Sequence, residues 1–209
     1  MKKIVLVGGG GHCSSVLDSI INNNEFEPVC ITDCIDIGKQ ILGVKVIGND
    51  SILQQLYDNG IEYAFITVGS IGNTKTRVKI QEELKKIGFK IPSIIDSSAI
   101  VSKNALVEEG VFIGKGVIVN SSSVIKKHAI INTGAIIEHD SEIGEFVHLA
   151  SGAIVCGSSI IGANSHIGAG TVVIQGVNIG DNVIVGAGSV IIRNITSESK
   201  VYGNPGRNV

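Results

Sequence analysis

The stretch Ile137-Glu138-His139-Asp140-Ser141-Glu142-Ile143-Gly144-Glu145-Phe146-Val147-His148-Leu149 places an apolar anchor at every sixth residue. The same register runs outward in both directions. Ile95, Val101, Val107, Ile113, Val119, Ile125 and Ile131 precede it, and Val155, Ile161, Ile167, Val173, Ile179, Val185 and Ile191 follow it, with no insertion. Four places after each anchor stands a small or β-branched residue, such as Ala135, Ser141, Ala153, Ser159 or Thr171. The place just after the anchor is often Gly, as at Gly114, Gly144, Gly162, Gly168, Gly180 and Gly186. A helix repeats its apolar face at about 3.6 residues and a flat strand at 2, so six fits neither. It fits a short strand, one inward side chain and a sharp corner. Three such sides close a triangular coil of about eighteen residues, and coils stack about 4.8 Å apart as a parallel β-helix. Small residues are expected in the crowded corners, and the glycines to supply turns of positive φ. An ordinary β-sandwich would need this unbroken spacing to arise by chance.

Composition agrees. A chain of 209 residues has room for one or two domains and a sizeable core. Trp is absent and other aromatics are few, as a thin prism filled by Ile and Val requires. A net charge of −2 gives no basic footprint for nucleic acid. No apolar run approaches a membrane span, and the run after Met1-Lys2-Lys3 stops at Gly8, too soon for a signal peptide. Cys13, Cys30, Cys34 and Cys156 form no CxxC and read as reduced thiols of a cytoplasmic protein.

Residues 1–92 read differently. Apolar strands at Ile4 to Val7, Glu27 to Thr32, Val44 to Ile47 and Tyr63 to Val68 alternate with helices at Ser14 to Asn22, from Asn49 or Asp50 through Tyr57, and at Thr74 to Ile87. That alternation predicts a small Rossmann-like parallel α/β sheet, followed over 93–209 by the β-helix. Ligands of such sheets sit at the carboxyl ends of strands, which gathers Gly8 to His12, Asp33 and Gly69. A glycine-rich turn opening a helix offers backbone N–H groups to phosphate. The dinucleotide fingerprint is incomplete, because Cys13 stands where its third Gly belongs.

The repeat resembles that of the left-handed β-helix, hexapeptide-repeat acyltransferases. Joined to an N-terminal domain beginning Gly8-Gly9-Gly10-Gly11-His12, it is similar to the NeuD/PglD-type sugar acyltransferases. The resemblance implies a left-handed coil, acetyl-CoA as cosubstrate, no metal, and a homotrimer with sites between neighbouring prisms. It implies a nucleotide sugar, expected to be a uridine diphosphate amino sugar, held by Gly8, Gly10, Gly11, His12 and Asp33, with Gly69, Asn73 and Arg77 as a third contact segment. Where many members carry a second acid after the Asp, this chain has Cys34.

Acyl transfer from a thioester needs a base, an oxyanion donor and alignment of both substrates. Glu138-His139-Asp140, followed nine residues on by His148, resembles the family's catalytic segment. His139 is thereby implied as base, Asp140 as its orienting partner and His148 as a contact to acetyl-CoA. Asp140 can serve only if a corner turns there, and the register puts one there. Coil arithmetic adds Gly157, eighteen residues after His139, whose N–H should lie one strand spacing away as an oxyanion donor. It also stacks His166 on His148, where at least one imidazole should be neutral. His128 and His166 are expected to face outward into solvent. Tyr202-Gly203-Asn204-Pro205-Gly206-Arg207 resembles the C-terminal signature that closes over CoA, which implies Pro205 and Arg207, with Ala169 and Ala187, as acetyl-CoA contacts. The activity expected is N-acetylation of a nucleotide-linked amino sugar. The alternatives are O-acetylation of a sugar such as sialic acid and a zinc lyase of the γ-carbonic anhydrase type, whose histidine spacing is missing here.

Overall fold

In a computed structural model describing residues 1–209, the anchors from Val101 to Ile191 each close a two-residue strand, sixteen in all. From Ile113 onward every anchor is at most 2% exposed. Each strand pairs in parallel with the strand eighteen residues on: Ile118 with Ile136, Val124 with Glu142, His148 with His166. Three flat faces result. Face A carries Ile100–Val101 through Val190–Ile191, face B Leu106–Val107 through Asn178–Ile179, and face C Phe112–Ile113 through Ile184–Val185 and then Lys200–Tyr202.

The corners correct one expectation. Positive φ falls on the third residue after the anchor, as at Ser122, His128, Asp140, Phe146, Ser158, Asn164 and Asn182, or on Gly at Gly134, Gly152 and Gly170. The glycines just after the anchor have another task. A Cβ on Gly144 would stand 2.7 Å from the Ala163 nitrogen, and one on Gly168 would stand 2.4 Å from the Ala187 nitrogen. They let successive coils touch, and the left-handed residue turns the chain. Small buried residues at the fourth place behave as expected, and their hydroxyls tie coils together. Ser123, Ser141 and Ser159 donate to the carbonyls of Glu138, Cys156 and Ile174, each fifteen residues on.

The chain divides into two units, Met1–Gly69 with Lys75–Ser97, and Ser70–Thr74 with Ser98–Val209. In the first, strands β1 (Lys2–Val7), β2 (Phe26–Thr32), β3 (Gln40–Ile41), β4 (Val44–Gly48) and β5 (Tyr63–Ile66) form a sheet of order β3-β4-β2-β1-β5. Four strands are parallel, and β3 adds an antiparallel edge that the sequence pattern did not suggest. Its turn is Leu42-Gly43, with φ of 45° and 85°. That is the left-handed pair a two-residue hairpin needs, supplied by a residue that rarely signals one. Helix α1 (Gly11–Asn23) buries Cys13, Val16, Leu17 and Ile20, the spacing of one helical face. It starts three residues earlier than expected, because extended Gly10 caps it and accepts from the Cys13 N–H at 3.0 Å. Asn49 caps a short 3-10 turn (Asp50–Ile52) before helix α2 (Leu53–Asp58), and helix α3 spans Lys75–Ile87.

Candidate active site

His139 occupies the corner between faces A and B. Asp140, next in the chain, takes φ 59°, which swings its carboxylate round to the imidazole. The His139 Nδ1···Asp140 Oδ2 distance is 2.8 Å. A carboxylate only accepts, so Nδ1 carries the proton and the Nε2 lone pair is left as a base. Both side chains are about 60% exposed in the single chain, so Nε2 is accessible. Gly157 lies one coil above, and a Cβ there would stand 2.8 Å from His139 Nε2. At neighbouring corners the equivalent N–H is taken, that of Lys127 by Glu108 and that of Ala163 by Asp181. The Gly157 N–H has no protein acceptor, so a base and an open amide donor meet at one point. Continuing by eighteens, the column reaches Gln175 and Arg193. Arg193 lines a cleft of about 310 Å³ with Arg207, so two cations share the end of the corner column that carries His139. Sequence reading missed Arg193, although the eighteen-residue register points to it.

His148 lies elsewhere. It sits on face C, and in a three-sided coil the corner between A and B is opposite that face. His148, Ala169 and Ala187 line a groove of about 410 Å³ together with Asn132, Ile71, His166 and Tyr202. The groove owes its depth to small corner residues, with Tyr202 packed where Gly186 has no side chain. His148 Nδ1 bonds the Ser70 carbonyl at 2.7 Å, so this nitrogen is the donor, and Nε2 accepts from Asn132 Nδ2 at 2.8 Å. That orients the ring and fastens the segment Ser70–Thr74 to the coil. Thr74 Oγ1 adds a 2.7 Å bond to Asn164 Oδ1. Both His148 nitrogens are thus engaged, which also counts against the zinc reading.

Two histidines correct the expectation of solvated side chains. His128 is 2% exposed, stacked on Phe146 with ring centroids 4.9 Å apart. His166 is 8% exposed, edge-on to His148 with centroids 4.8 Å apart. Burial, helped by His148, lowers the His166 pKa from 6.5 to about 4, so the stacked pair contains a neutral ring as expected.

In the N-terminal unit the carboxyl ends of β1, β2 and β5 bring Gly8 to His12, Asp33 and Gly69 together. Gly8 takes φ 112° and lies against Thr67 and Val68, and Gly69 approaches His12. Gly10 and Gly11 face open space, and the first turn of α1 has no acidic residue or side-chain cap. Its N–H groups are therefore ready for an anion. Asp33 has a more local task than expected. Its two oxygens accept from the backbone N–H groups of Gly9 and Ile35, pinning the glycine loop to the end of β2. Arg77 is 2% exposed, and desolvation lowers its pKa to about 10. Asn73 belongs to the segment grouped with the coil. The third contact segment does not assemble as one surface within either unit. All four cysteines are free, and burial raises the Cys13 and Cys30 thiols to about 11.

Pro205 and Arg207 lie in a closing hairpin, where Arg207 pairs antiparallel with Tyr202 and the Gly206 N–H bonds the Val190 carbonyl at 2.8 Å. The C-terminus is thus an ordered cap on face C.

Comparison with known proteins follows the same two-part division. Residues 3–84 match the family model of the PglD N-terminal domain, and residues 158–193 match that of the bacterial transferase hexapeptide (six repeats). A His-to-Asn mutant of perosamine N-acetyltransferase from Caulobacter crescentus, in complex with CoA and GDP-perosamine, is 34% identical. It superposes with a TM-score of 0.93, over 99% of this chain and 96% of that one. The acetyltransferase domain of PglB from Neisseria gonorrhoeae is 31% identical with a TM-score of 0.94, covering 100% of both chains. The same domain in complex with acetyl coenzyme A gives 31% and 0.92, over 100% of this chain and 99% of that one. With the coil, the α/β unit and these matches spanning the whole length, the chain belongs to the PglD-type acetyltransferases of the hexapeptide-repeat superfamily.

Proposed function

We propose that this protein transfers the acetyl group of acetyl-CoA to the amino group of a nucleotide-linked sugar, and that it works as a cytoplasmic homotrimer. The observation that carries the reading is the His139–Asp140 pair, held 2.8 Å apart beneath the open amide of Gly157. The sugar amine attacks the thioester carbonyl carbon, and His139 Nε2 takes the amine proton. The oxyanion formed is met by the Gly157 N–H. Collapse expels the CoA thiolate, which recovers the proton from the imidazolium. Asp140 holds the tautomer and stabilises that cation.

The donor's arm lies in the groove on face C of one copy, against His148, Ala169 and Ala187, and Arg193 and Arg207 of the copy that supplies the base meet its phosphates, with Pro205 shaping the closing hairpin. Groove and base lie on opposite sides of one coil, so a working site takes His139 from one copy and the groove from the next. Face A supplies the surface for this assembly. Its outward residues Ile100, Ile118, Ile136, Ile154, Val172 and Val190 are all Ile or Val. No helix is long and apolar enough to cross a membrane.

The glycine loop Gly8 to Gly11, with His12 and Asp33 behind it and Gly69 beside it, takes the diphosphate. The nucleotide is read as uridine, and the GDP-perosamine held by the Caulobacter relative makes guanosine the second arm of the test. A panel of uridine and guanosine diphosphate amino sugars, incubated with acetyl-CoA and followed by thiol release, tests the reading. The expected product carries a base-stable amide. A base-labile ester would mean O-acetylation, and thiol release with no sugar would remove the acceptor assignment.

A further inference from the structure

The segment Ser70–Thr74 lies between β5 and α3 in the chain, yet it belongs with the β-helix and is no part of the repeat. Three features hold it there. The Ser70 carbonyl accepts from His148 Nδ1 at 2.7 Å, Thr74 Oγ1 donates to Asn164 Oδ1 at 2.7 Å, and between them Gly72 lies against Ile184. Gly72 takes φ 68°, and a Cβ on it would collide with the Ile184 side chain, so glycine is demanded there twice over. Holding five residues in one conformation costs backbone entropy, so a segment tied down at both ends has something to present.

The residue it presents is Ile71. This residue is 75% exposed and lines the groove on face C, whose other lining residues all come from the coil between Asn132 and Tyr202. A single exposed isoleucine is ordinary on a protein surface. This one stands on a tied segment and shares its groove with Ala150, Ala169, Ala187, Gly168 and Gly186. Those small residues make room for a ligand but offer it little contact of their own, so a chain lying there gains from each larger apolar side chain that reaches it. Ile71 is already in place and need not be ordered at the moment of binding. A ligand matching this chemistry is slender, flexible and mostly aliphatic. The arm of coenzyme A is such a chain, and this part of the argument rests on the proposed donor.

We propose that Ile71 is a donor-binding residue, its side chain packing on the aliphatic stretch of the coenzyme A arm and holding that arm in the groove. The test is calorimetric binding of CoA to the intact protein, with kcat and with KM for acetyl-CoA and for the nucleotide-linked amino sugar. Ile71→Ala removes the apolar contact, and Ile71→Leu keeps it. Thermal melting and sedimentation should match the wild type in both, since an exposed side chain is being changed. The expected result for Ile71→Ala is a roughly tenfold weaker Kd for CoA, as the loss of a few buried methylene groups predicts. KM for acetyl-CoA should rise by a matching factor, with kcat and KM for the sugar nearly unchanged, and Ile71→Leu should recover most of the affinity. Equal CoA affinity in wild type and Ile71→Ala would overturn the proposal. A rise in KM for the sugar as large as that for acetyl-CoA would do the same, because the segment would then serve the acceptor. So would dissociation of the Ile71→Ala oligomer, which would mean that the side chain packs on another copy. Failure of the wild type to bind CoA at all would instead overturn the donor assignment, and this inference with it.

Discussion

Asp140 shows how much one backbone angle decides. Its φ of 59° brings the carboxylate back to His139, where an extended residue would point away. Asp140→Asn keeps the imidazole and weakens its orientation, so kcat should fall, by less than for loss of His139 itself, with KM for acetyl-CoA little changed. Steady-state kinetics at saturating substrates decide this. Gly157 is constrained differently. It does not need positive φ, so Gly157→Ala should fold normally while its methyl group pushes the His139 ring from its place. Thermal melting should match the wild type while kcat drops; an active Gly157→Ala enzyme would refute the geometry. His166 gives a pH prediction. Its pKa in the folded chain is about 4 against an ordinary 6.5, so the unfolded chain binds the proton more readily. Its contribution to stability is therefore present above pH about 6.5 and lost as pH falls toward 4. The melting temperature should decline over that window, less steeply in His166→Phe. The pairing of His139 with Asp140, and the place of Gly157, were legible because register fixes both. The burial of His128 and His166 was not legible: the register stacks His166 on His148 but does not show that the ring is covered, and His128 fills space left by Gly110, a neighbour the reading did not consider.

At the scale of the element, the six-residue corner carries most of the information. One inward anchor, one left-handed residue and one small or β-branched residue recur in each corner from Gly110 to Gly188, so strands, coil and inward face all followed from spacing. Which glycine turns the chain did not follow, because a sequence shows that Gly is present and not whether close approach or φ demands it. Gly144→Ala should therefore destabilise strongly, with its Cβ 2.7–2.9 Å from the backbone of the next coil, whereas Gly170, with nothing near its Cβ, should be limited by φ alone. Urea denaturation of the two variants compares these costs. Ile143→Ala, removing a wholly buried anchor, should cost about 2–5 kcal/mol by the same measurement. In the N-terminal unit the parallel strands were readable from apolar runs, but β3 was not, since Leu42 at φ 45° gives no turn signal. Asp33 was placed correctly at its strand end, yet its bonds to Gly9 and Ile35 depend on a loop conformation that composition does not reveal.

At the scale of the whole molecule, base and groove belong to opposite sides of one coil, so activity should require assembly. Ile154→Glu, on the outward ladder of face A, should give monomers by sedimentation and abolish acetyl transfer while leaving the coil folded. An active monomer would break the link between assembly and site. Mixed oligomers made from a His139→Ala chain and an Ala187→Trp chain, each inactive alone, should recover part of the activity, because some interfaces join an intact base to an open groove. All of this rests on His139 acting as the base of an acetyl transfer. The most direct measurement is kcat for His139→Ala with acetyl-CoA and a nucleotide-linked amino sugar, both saturating. A fall of about 10² to 10⁴ with the oligomer intact is predicted, and a near-wild-type kcat would contradict it.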